Sequence, residues 1–440
     1  MIDTVVILAA GKGERLNDIN NFKSKPLIEI FGISLIERNI CKLNECLFVK
    51  NIIVVTGFNH KELESHLHEI RQRRNLNIKA IFDKDWEKGN GHTFLTGLNN
   101  ISTDKFYLQM SDHLFLDDFY QEIKNSIIDQ DKSYLLTSRN LSSFHDLEDS
   151  NKLKIENDTI KEINKFINYS DGFDTGFFII NKSNYKNFDN SKLEKIEFSN
   201  VNQFVADKGL LKPIFVNENY WMDVDTKNEL EKSKEFLFEG LKSKKTDGFV
   251  SKHINRKLSI LISKKLINYE IKPNQISIVV FIIALIGSYL ISKNNYLLMV
   301  LGGIFAQLSS IMDGCDGEIA RLKLLKSKFG GWFDQVLDRY SDIFILSGLT
   351  INCFNTYQSN FVLFVGLLAV GSKTLLSYTA YKYDEIIKGQ DPFRIGRDIT
   401  TLILLIGLIL NFPYFTLIIL TIIFNFEIIK RIIILKDKFV

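Results

Sequence analysis

The chain has 440 residues, a length that suits two or three domains rather than one. Its 55 Lys and Arg against 52 Asp and Glu leave a formal charge of +3, too small to point to nucleic acid as a partner. The 4 cysteines, Cys41, Cys46, Cys315 and Cys353, form no CxxC pair and no metal spacing, so they read as reduced thiols of a cytoplasmic or membrane protein.

The mean hydropathy of +0.01 averages two unlike halves. Residues 1–250 mix charged and apolar residues, whereas 276–440 carry long runs of Ile, Leu, Val and Phe. MIDTVVILAAGKGERL has no basic leader and runs straight into a glycine turn, so no signal peptide is expected. Abundant Asn argues against an extreme thermophile.

TVVILAA at 4–10 is a β-branched apolar run, the pattern of a buried parallel strand. Gly11-Lys12-Gly13-Glu14-Arg15-Leu16 follows. A strand that feeds a glycine turn and then a helix is a place for phosphate. Glycine lets the backbone come close, and its N–H groups meet the anion. NIIVVTGFNH (51–60) is a second strand ending in a glycine turn. FYLQMSDHLF (106–115) is a third, with Asp112 at its carboxyl end, where ligands sit in open α/β sheets. DGFDTGFFII (171–180) is a fourth, reached through Asp174-Thr175-Gly176. Amphipathic segments such as HKELESHLHEIRQRR alternate with these strands. The expected front fold is α/β, Rossmann-like, with a mostly parallel sheet.

LAAGKGERL followed by Lys25-Pro26-Leu27 resembles the signature of the sugar-phosphate nucleotidylyltransferases, and the resemblance covers residues 3–235. It implies that Leu8, Ala10, Gly11, Lys12 and Gly13 cradle a nucleoside triphosphate. It also implies that Gly89, Asn90, Gly91 and Thr93 face the nucleobase, and that Asp112 holds a metal. WMDVDT (221–226) resembles the family's second metal segment, and Asp223 and Asp225 fit it equally. Asp174, Thr175 and Gly176 are placed for a sugar or polyol phosphate. Glu14 stands where many members carry Thr or Ser. In this chemistry a phosphorylated alcohol attacks the α-phosphorus of the triphosphate and pyrophosphate leaves. Both reactants are anions, so the site needs cations and backbone donors more than a base. Lys12, Arg15 and Lys25 supply fixed charge, with Arg15 and Lys25 expected to act in catalysis and Mg2+ (or Mn2+) completing the site. The plainer readings are surface lysines and a helix N-cap at Asp112.

Residues 236–248, FLFEGLKSKKTDG, read as a linker. In 249–272, Phe249, Ile254, Leu258, Leu261, Ile262 and Leu266 recur at helical spacing, and Lys252, Arg256, Lys257, Lys264 and Lys265 take other positions. A basic amphipathic helix ahead of an apolar span is expected to lie in the membrane interface. A core-facing helix of the front domain is the alternative. Six apolar segments follow at 276–292, 296–313, 333–352, 360–381, 397–411 and 414–431. Several are shorter than the roughly 20 residues that cross a bilayer. The loops are basic on one side (Arg321, Lys323, Lys326, Lys328; Lys382, Lys388, Arg394, Arg397; Lys430, Arg431, Lys436, Lys438). SKNN, NTYQS and NFP on the other side hold one lysine together. The bias predicts a multi-pass protein of the cell (inner) membrane with both termini and the front domain in the cytoplasm.

Carboxylates inside an apolar segment are expensive and mark function. Asp313 and Asp316 are three apart and Asp334 and Asp338 four apart, so each pair shares a helix face. Two such faces would put four carboxylates around one point, where only divalent cations keep them charged. Gly317 and Gly330 clear space for a ligand, and Arg321 can meet a phosphate. The spacing Asp-x2-Asp-Gly-x2-Ala-Arg-x8-Gly-x3-Asp-x3-Asp resembles the signature of the CDP-alcohol phosphotransferases, six-helix membrane enzymes that are usually homodimers. The resemblance implies that Asp313, Asp316 and Asp334 bind metal. It makes Asp338 a further ligand and the candidate base, and has Gly317, Ala320 and Arg321 hold the CDP moiety. Arg394 and Arg397, in PFRIGRD, are then expected at the phosphate of the acceptor, with membrane anchoring as the plainer role. Lys373, within the fourth segment, is expected to face the carboxylates.

A nucleotidylyltransferase joined to this membrane domain, with FVSKHINRKLS ahead of Pro-Asn, resembles the bifunctional CTP:inositol-1-phosphate cytidylyltransferase/CDP-inositol phosphotransferase family. That implies CTP and inositol 1-phosphate as substrates and CDP-inositol as the shared intermediate. The final product would be a phosphorylated di-inositol phosphodiester. The alternatives keep both steps with another alcohol, such as glycerol or choline, or a lipid acceptor, or reduce the front domain to a nucleotide sensor. A transporter is the non-enzyme alternative, but the chain shows no broken helix or internal repeat.

Overall fold

Every residue of β1 (Thr4–Ala9) is buried, and alternate side chains enter different cores. Val5, Ile7 and Ala9 join one apolar cluster, while Val6 and Leu8 join another. A strand with apolar residues at every position can only be central, covered on both faces. The structure, a computed structural model, describes residues 2–16, 24–145, 150–189, 193–241, 250–387 and 395–439. The chain divides into two units, Met1–Gly240 and Leu241–Val440.

In the first unit the strands continue as β2 (Glu29–Ile30), β3 (Ile33–Ser34), β4 (Asn51–Thr56), β5 (Asn77–Phe82), β6 (Lys105–Met110), β7 (His113–Phe115), β8 (Ser133–Ser138), β9 (Lys152–Glu156), β10 (Thr159–Asn164), β11 (Gly172–Asn181), β12 (Leu211–Val216) and β13 (Trp221–Asp223). The helices are α1 (Leu35–Leu47), α2 (His60–Arg74), α3 (Asn90–Asn99), α4 (Asp117–Asn125), α5 (Phe198–Asp207) and α6 (Lys227–Glu239). The main sheet has 9 strands in the order β10-β9-β11-β6-β1-β4-β5, with β8 on β11 and β12 on β8. β6, β1, β4 and β5 run parallel, as do β8 and β12, but β11 meets both β6 and β8 antiparallel. The sheet is therefore mixed, not mostly parallel. Among the described residues no crossover helix separates β8 from β11; the antiparallel pair β9 and β10 lies in that interval, so the chain can return against β6.

α6 runs to Glu239, through the first residues of the segment expected to be a linker. Phe249, counted with the amphipathic segment, lies outside the described residues.

The second unit is helical. A π-helical turn at Ser251–Asn255 leads into α7 (Arg256–Leu266). α8 (Pro273–Ile291), α9 (Tyr296–Leu322), α10 (Lys328–Tyr357), α11 (Asn360–Ile387), α12 (Arg397–Ile409) and α13 (Pro413–Phe439) follow. Among the described residues, α8, α9 and the Asn360–Ala380 part of α11 are long and apolar enough to cross a membrane. Pro273 opens α8 at a position where a missing N–H costs nothing. Asn295 caps α9 by accepting from Leu298 N at 3.1 Å, and Ser327 caps α10 by accepting from Gly330 N at 2.9 Å. Both caps start the helices outside the apolar runs, so all four motif aspartates fall inside helices. Close backbone approach knits the bundle, since a Cβ on Gly302 would meet Gly287 O at 2.6 Å.

One cation of the amphipathic segment departs from the expectation. Ile254, Leu258 and Leu261 are exposed, while Arg256, expected on the basic outer face, is buried.

Candidate active sites

In the first unit, one small strand pair brings two acidic segments together. β7 and β13 run antiparallel with Asp223 opposite His113, and Val224 N donates to Asp112 O at 3.0 Å. Asp112, at the end of β6, thus lies beside the WMDVDT segment. α6 then starts with a reciprocal cap. Glu229 N donates to Thr226 Oγ1 at 3.3 Å, and Glu229 Oε2 accepts from Asp225 N at 2.7 Å and Thr226 N at 2.8 Å. The cap fixes the backbone of Asp225.

Lys25 joins the two segments. Its Nζ donates to Asp112 Oδ2 at 2.6 Å and also to Asp225 Oδ1. Burial alone would lower the Lys25 pKa, but Asp112 and Asp225 outweigh it and raise it above the usual lysine value. Burial pushes the Asp112 carboxyl up, yet Lys25 and His113 overcome this and hold it well below the usual carboxylate range. Asp223 lacks the lysine, and burial pushes it up to about 6 against the pull of His113. Its Oδ1 is buried without a hydrogen-bond partner. An orphaned carboxylate oxygen beside Asp112 and Asp225 is a hard donor set that fits Mg2+ or Mn2+.

A cavity of about 550 Å³ in the first unit and one of about 320 Å³ in the second each have their own carboxylates. In the first, Arg15, Asn90, Asp112, Asp174, Gly176, Asp223 and Asp225 all line the wall. Arg15 Nη1 lies 3.8 Å from Asp225 Oδ2. Gly13 has φ +65°, and a Cβ there would meet Lys25 Cβ at 2.7 Å, so the turn has to be glycine for Lys25 to pass. Gly11 is open to solvent space.

Other expected residues have partners within the protein. Lys12 pairs with Glu14 at 2.9 Å. Leu8, Ala10 and Thr93 are buried and support the backbone. Gly89 and Gly91 pack on the chain at Ile196, where a Cβ would meet Ile196 O at 2.7 and 2.6 Å. Asn90 Oδ1 accepts from Phe198 N at 2.7 Å. Thr175 turns away from the cavity: it is fully buried and its Oγ1 donates to Leu136 O at 2.8 Å.

The sequence reading passed over His113. Its Nδ1 lies 2.8 Å from Asp112 Oδ1, and its ring stacks parallel to Trp221 at 6.0 Å. Gly176, with φ +72°, makes room for it, since a Cβ there would meet the ring at 2.7 Å. The signal available was its place directly after Asp112. Lys165 and Asn200 also line the cavity, from segments with no motif of their own.

In the second unit, Asp313 on α9 and Asp334 and Asp338 on α10 each place a carboxylate oxygen within 4.8 Å of the others. Such an all-oxygen triad fits a divalent cation of the Mg2+ or Mn2+ type. Asp316 joins the triad through Asp334, with which its carboxyl is hydrogen-bonded. Asp316 turns one oxygen to Ser277 Oγ, 2.5 Å away, and the other to Gly317 N, because α8 offers a hydroxyl on that side. Asp316, Asp334, Gly317 and Arg321 line both of two cavities, of about 320 and 190 Å³, and Ala320 and Gly330 line the smaller.

Arg397, expected at an acceptor phosphate, lies on the triad. Its Nη1 is 3.3 Å from Asp313 Oδ1 and also bonds Asp338, and its Nε is 3.5 Å from Asp342 Oδ1. Lys373, expected to face the four carboxylates, instead lies 3.7 Å from Asp342 Oδ2 and 3.3 Å from Thr400 Oγ1. Asp342 was overlooked. It continues Asp334 and Asp338 at the same four-residue step, hence on the same helix face. Arg394 lies outside the described residues.

Comparison with known proteins agrees with both halves. The model of the MobA-like NTP transferase domain matches residues 5–139, and that of the CDP-alcohol phosphatidyltransferases matches 271–429, leaving the segment ahead of residue 271 unassigned. A bifunctional IPC transferase and DIPP synthase of Aquifex aeolicus is 31% identical over 388 residues, 87% of this chain and 84% of that one. One of Rubrobacter xylanophilus is 28% identical over 437 residues, 98% of this chain and 96% of that one. Among solved structures, the inositol-1-phosphate CTP transferase from T. maritima is 23% identical with a TM-score of 0.49, covering 53% of this chain and 94% of its own.

Proposed function

The chain belongs to the family of bifunctional IPC transferases and DIPP synthases, and from that membership we propose two consecutive transfers on one chain. It is a nucleotidylyltransferase and a CDP-alcohol phosphotransferase. In the first step a phosphate oxygen of inositol 1-phosphate bonds to the α-phosphorus of CTP, and the bond to pyrophosphate breaks, giving CDP-inositol. In the second, a hydroxyl of another inositol phosphate bonds to the phosphorus that carries inositol, CMP leaves, and a di-inositol phosphodiester results.

In the first site Lys25 carries its charge between Asp112 and Asp225, and Arg15 adds a second cation at the cavity wall. These two cations at the cavity hold the phosphates of two anions against their repulsion. Asp174 and the backbone at Gly176 face the alcohol. Asp112 with Asp223 would hold one divalent cation, and Asp313, Asp334 and Asp338 another. When bound, such ions neutralise charge that develops on the phosphoryl oxygens and leaving group. At the second site Asp338 takes the proton of the attacking hydroxyl, while Gly317, Ala320 and Arg321 hold the CDP moiety. Arg397 and Lys373, kept in reach by Asp342, meet the acceptor's phosphate.

The second unit spans the inner membrane with the helices α8 to α13, with both termini in the cytoplasm, and the protein works as a homodimer. Three long apolar helices support the membrane reading. The observation that carries the function is the carboxylate triad on α9 and α10 of an apolar bundle. Its test gives the purified protein CTP, Mg2+ and a panel of phosphorylated alcohols, and identifies products by mass spectrometry. CDP-inositol and a di-inositol phosphodiester are expected; products from other alcohols alone would overturn the substrate assignment.

A further inference from the structure

Glu318 is wholly buried on α9, two residues beyond Asp316. A carboxylate in such a place requires full pairing. Among the described residues, its partners Arg256, Ser259 and Ser263 all come from the segment ahead of α8. Arg256 Nη1 lies 3.0 Å and Ser259 Oγ 2.6 Å from Oε1, and Ser263 Oγ lies 2.7 Å from Oε2. An interfacial anchor would turn its leucines to lipid and its cations to water, whereas Arg256, Ser259 and Ser263 turn to Glu318.

An α-helix turns by about 100° per residue, so Glu318 points roughly 200° from Asp316. The two stand on nearly opposite faces of α9, and fixing one fixes the rotation of the other. Further contacts hold the same segment. Asn255 Nδ2 lies 3.4 Å from Ser310 Oγ, and Ser251 N donates at 2.6 Å to Asp398, the neighbour of Arg397. Arg256 and Ser259 also line the 320 Å³ cavity with Asp313 and Asp334.

We propose that Glu318, held by Arg256, Ser259 and Ser263, is a positioning residue of the phosphotransferase site, setting the rotation of α9 that presents Asp313 to the carboxylate triad. The segment 251–266 is thus a wall of that site. The inference rests on the reading of the triad as a divalent-cation site for CDP-alcohol chemistry.

The test uses the full chain in detergent with two variants. Glu318→Gln keeps one acceptor oxygen, puts an amide donor opposite the other serine and strips Arg256 of its counter-charge. Arg256→Met with Glu318→Met removes the pair at similar volume, a change that buried ion pairs often tolerate. Mn2+ binding is read by electron paramagnetic resonance, alongside melting temperature, kcat and KM for supplied CDP-inositol, and cytidylyl transfer as a control on the same chain. With melting and cytidylyl transfer near wild type, the double variant is expected to bind Mn2+ at the second site about 10-fold more weakly. Its phosphotransferase kcat should fall about 10- to 100-fold, the usual reach of groups that orient ligands. Wild-type Mn2+ affinity and kcat in the double variant would overturn the proposal. So would failure of both variants to fold, which would make the pair a purely structural one. If wild type did not consume CDP-inositol, the functional reading would fall, and the Mn2+ comparison would still judge the role of Glu318.

Discussion

Lys25 and Asp112 meet at 2.6 Å although 87 residues separate them. The contact ties the segment after the glycine turn to the end of β6, and Asp225 closes it from the other side. A buried lysine shared by two carboxylates is a fixed charge at the place where two anions must meet. Lys25→Met is expected to lower cytidylyl transfer by about 100-fold or more, the range for loss of one preorganised charge-stabilising donor. Phosphotransfer from supplied CDP-inositol should stay at the wild-type rate. Separate assays of the two half-reactions check this, and a loss of both would mean that Lys25 serves the whole fold.

The converse holds for the triad. Asp338→Asn and Asp334→Asn are expected to abolish phosphotransfer while CDP-inositol accumulates from CTP and inositol 1-phosphate. Chelation should stop both half-reactions, and Mg2+ or Mn2+ should restore both. Chromatography of the nucleotide products checks each outcome.

Thr175 offers a test of the corrected site. Its hydroxyl bonds Leu136 O in the core and does not reach the cavity. Thr175→Val is therefore expected to cost about 1–3 kcal/mol of stability, for a buried acceptor left unpaired. KM for inositol 1-phosphate should not move. A raised KM with unchanged melting would return Thr175 to the substrate.

His145 packs against Trp221 with ring centroids 4.1 Å apart. Burial lowers its pKa from 6.5 to about 4. The unfolded chain therefore takes up a proton between pH 6.5 and 4 that the folded chain refuses. The stability from this group is complete above pH 6.5 and is lost as pH falls toward 4, by at most about 1.4 kcal/mol per pH unit. His145→Phe should flatten the acid limb of the front domain's melting profile. An unchanged limb would show that other groups set it.

What the sequence disclosed depended on how local each signal was. Asp112, Asp223 and Lys25 sit in short motifs, and the paired aspartates of α9 and α10 follow helical spacing, so both sites could be placed before the fold was known. Strand direction was not readable, because an apolar run such as β11 looks the same either way. The roles of Asp342, although it follows the same helical step, and of Glu318 were hidden for another reason. Each is defined by partners on other helices, Lys373 with Arg397 and Arg256 with two serines. Arg256 itself looked like one more interfacial cation. His113 follows a motif residue, but its role comes from Trp221 and from Gly176, which only the β7–β13 pairing brings to it.

The aspartates of α9 and α10 stand between two cavities that share Asp316, Asp334, Gly317 and Arg321. With nucleotide on one side and alcohol on the other, the incoming oxygen and departing CMP would lie opposite each other across phosphorus. Each turnover would then invert the phosphorus centre once, and a chiral thiophosphate substrate would come out with its handedness reversed.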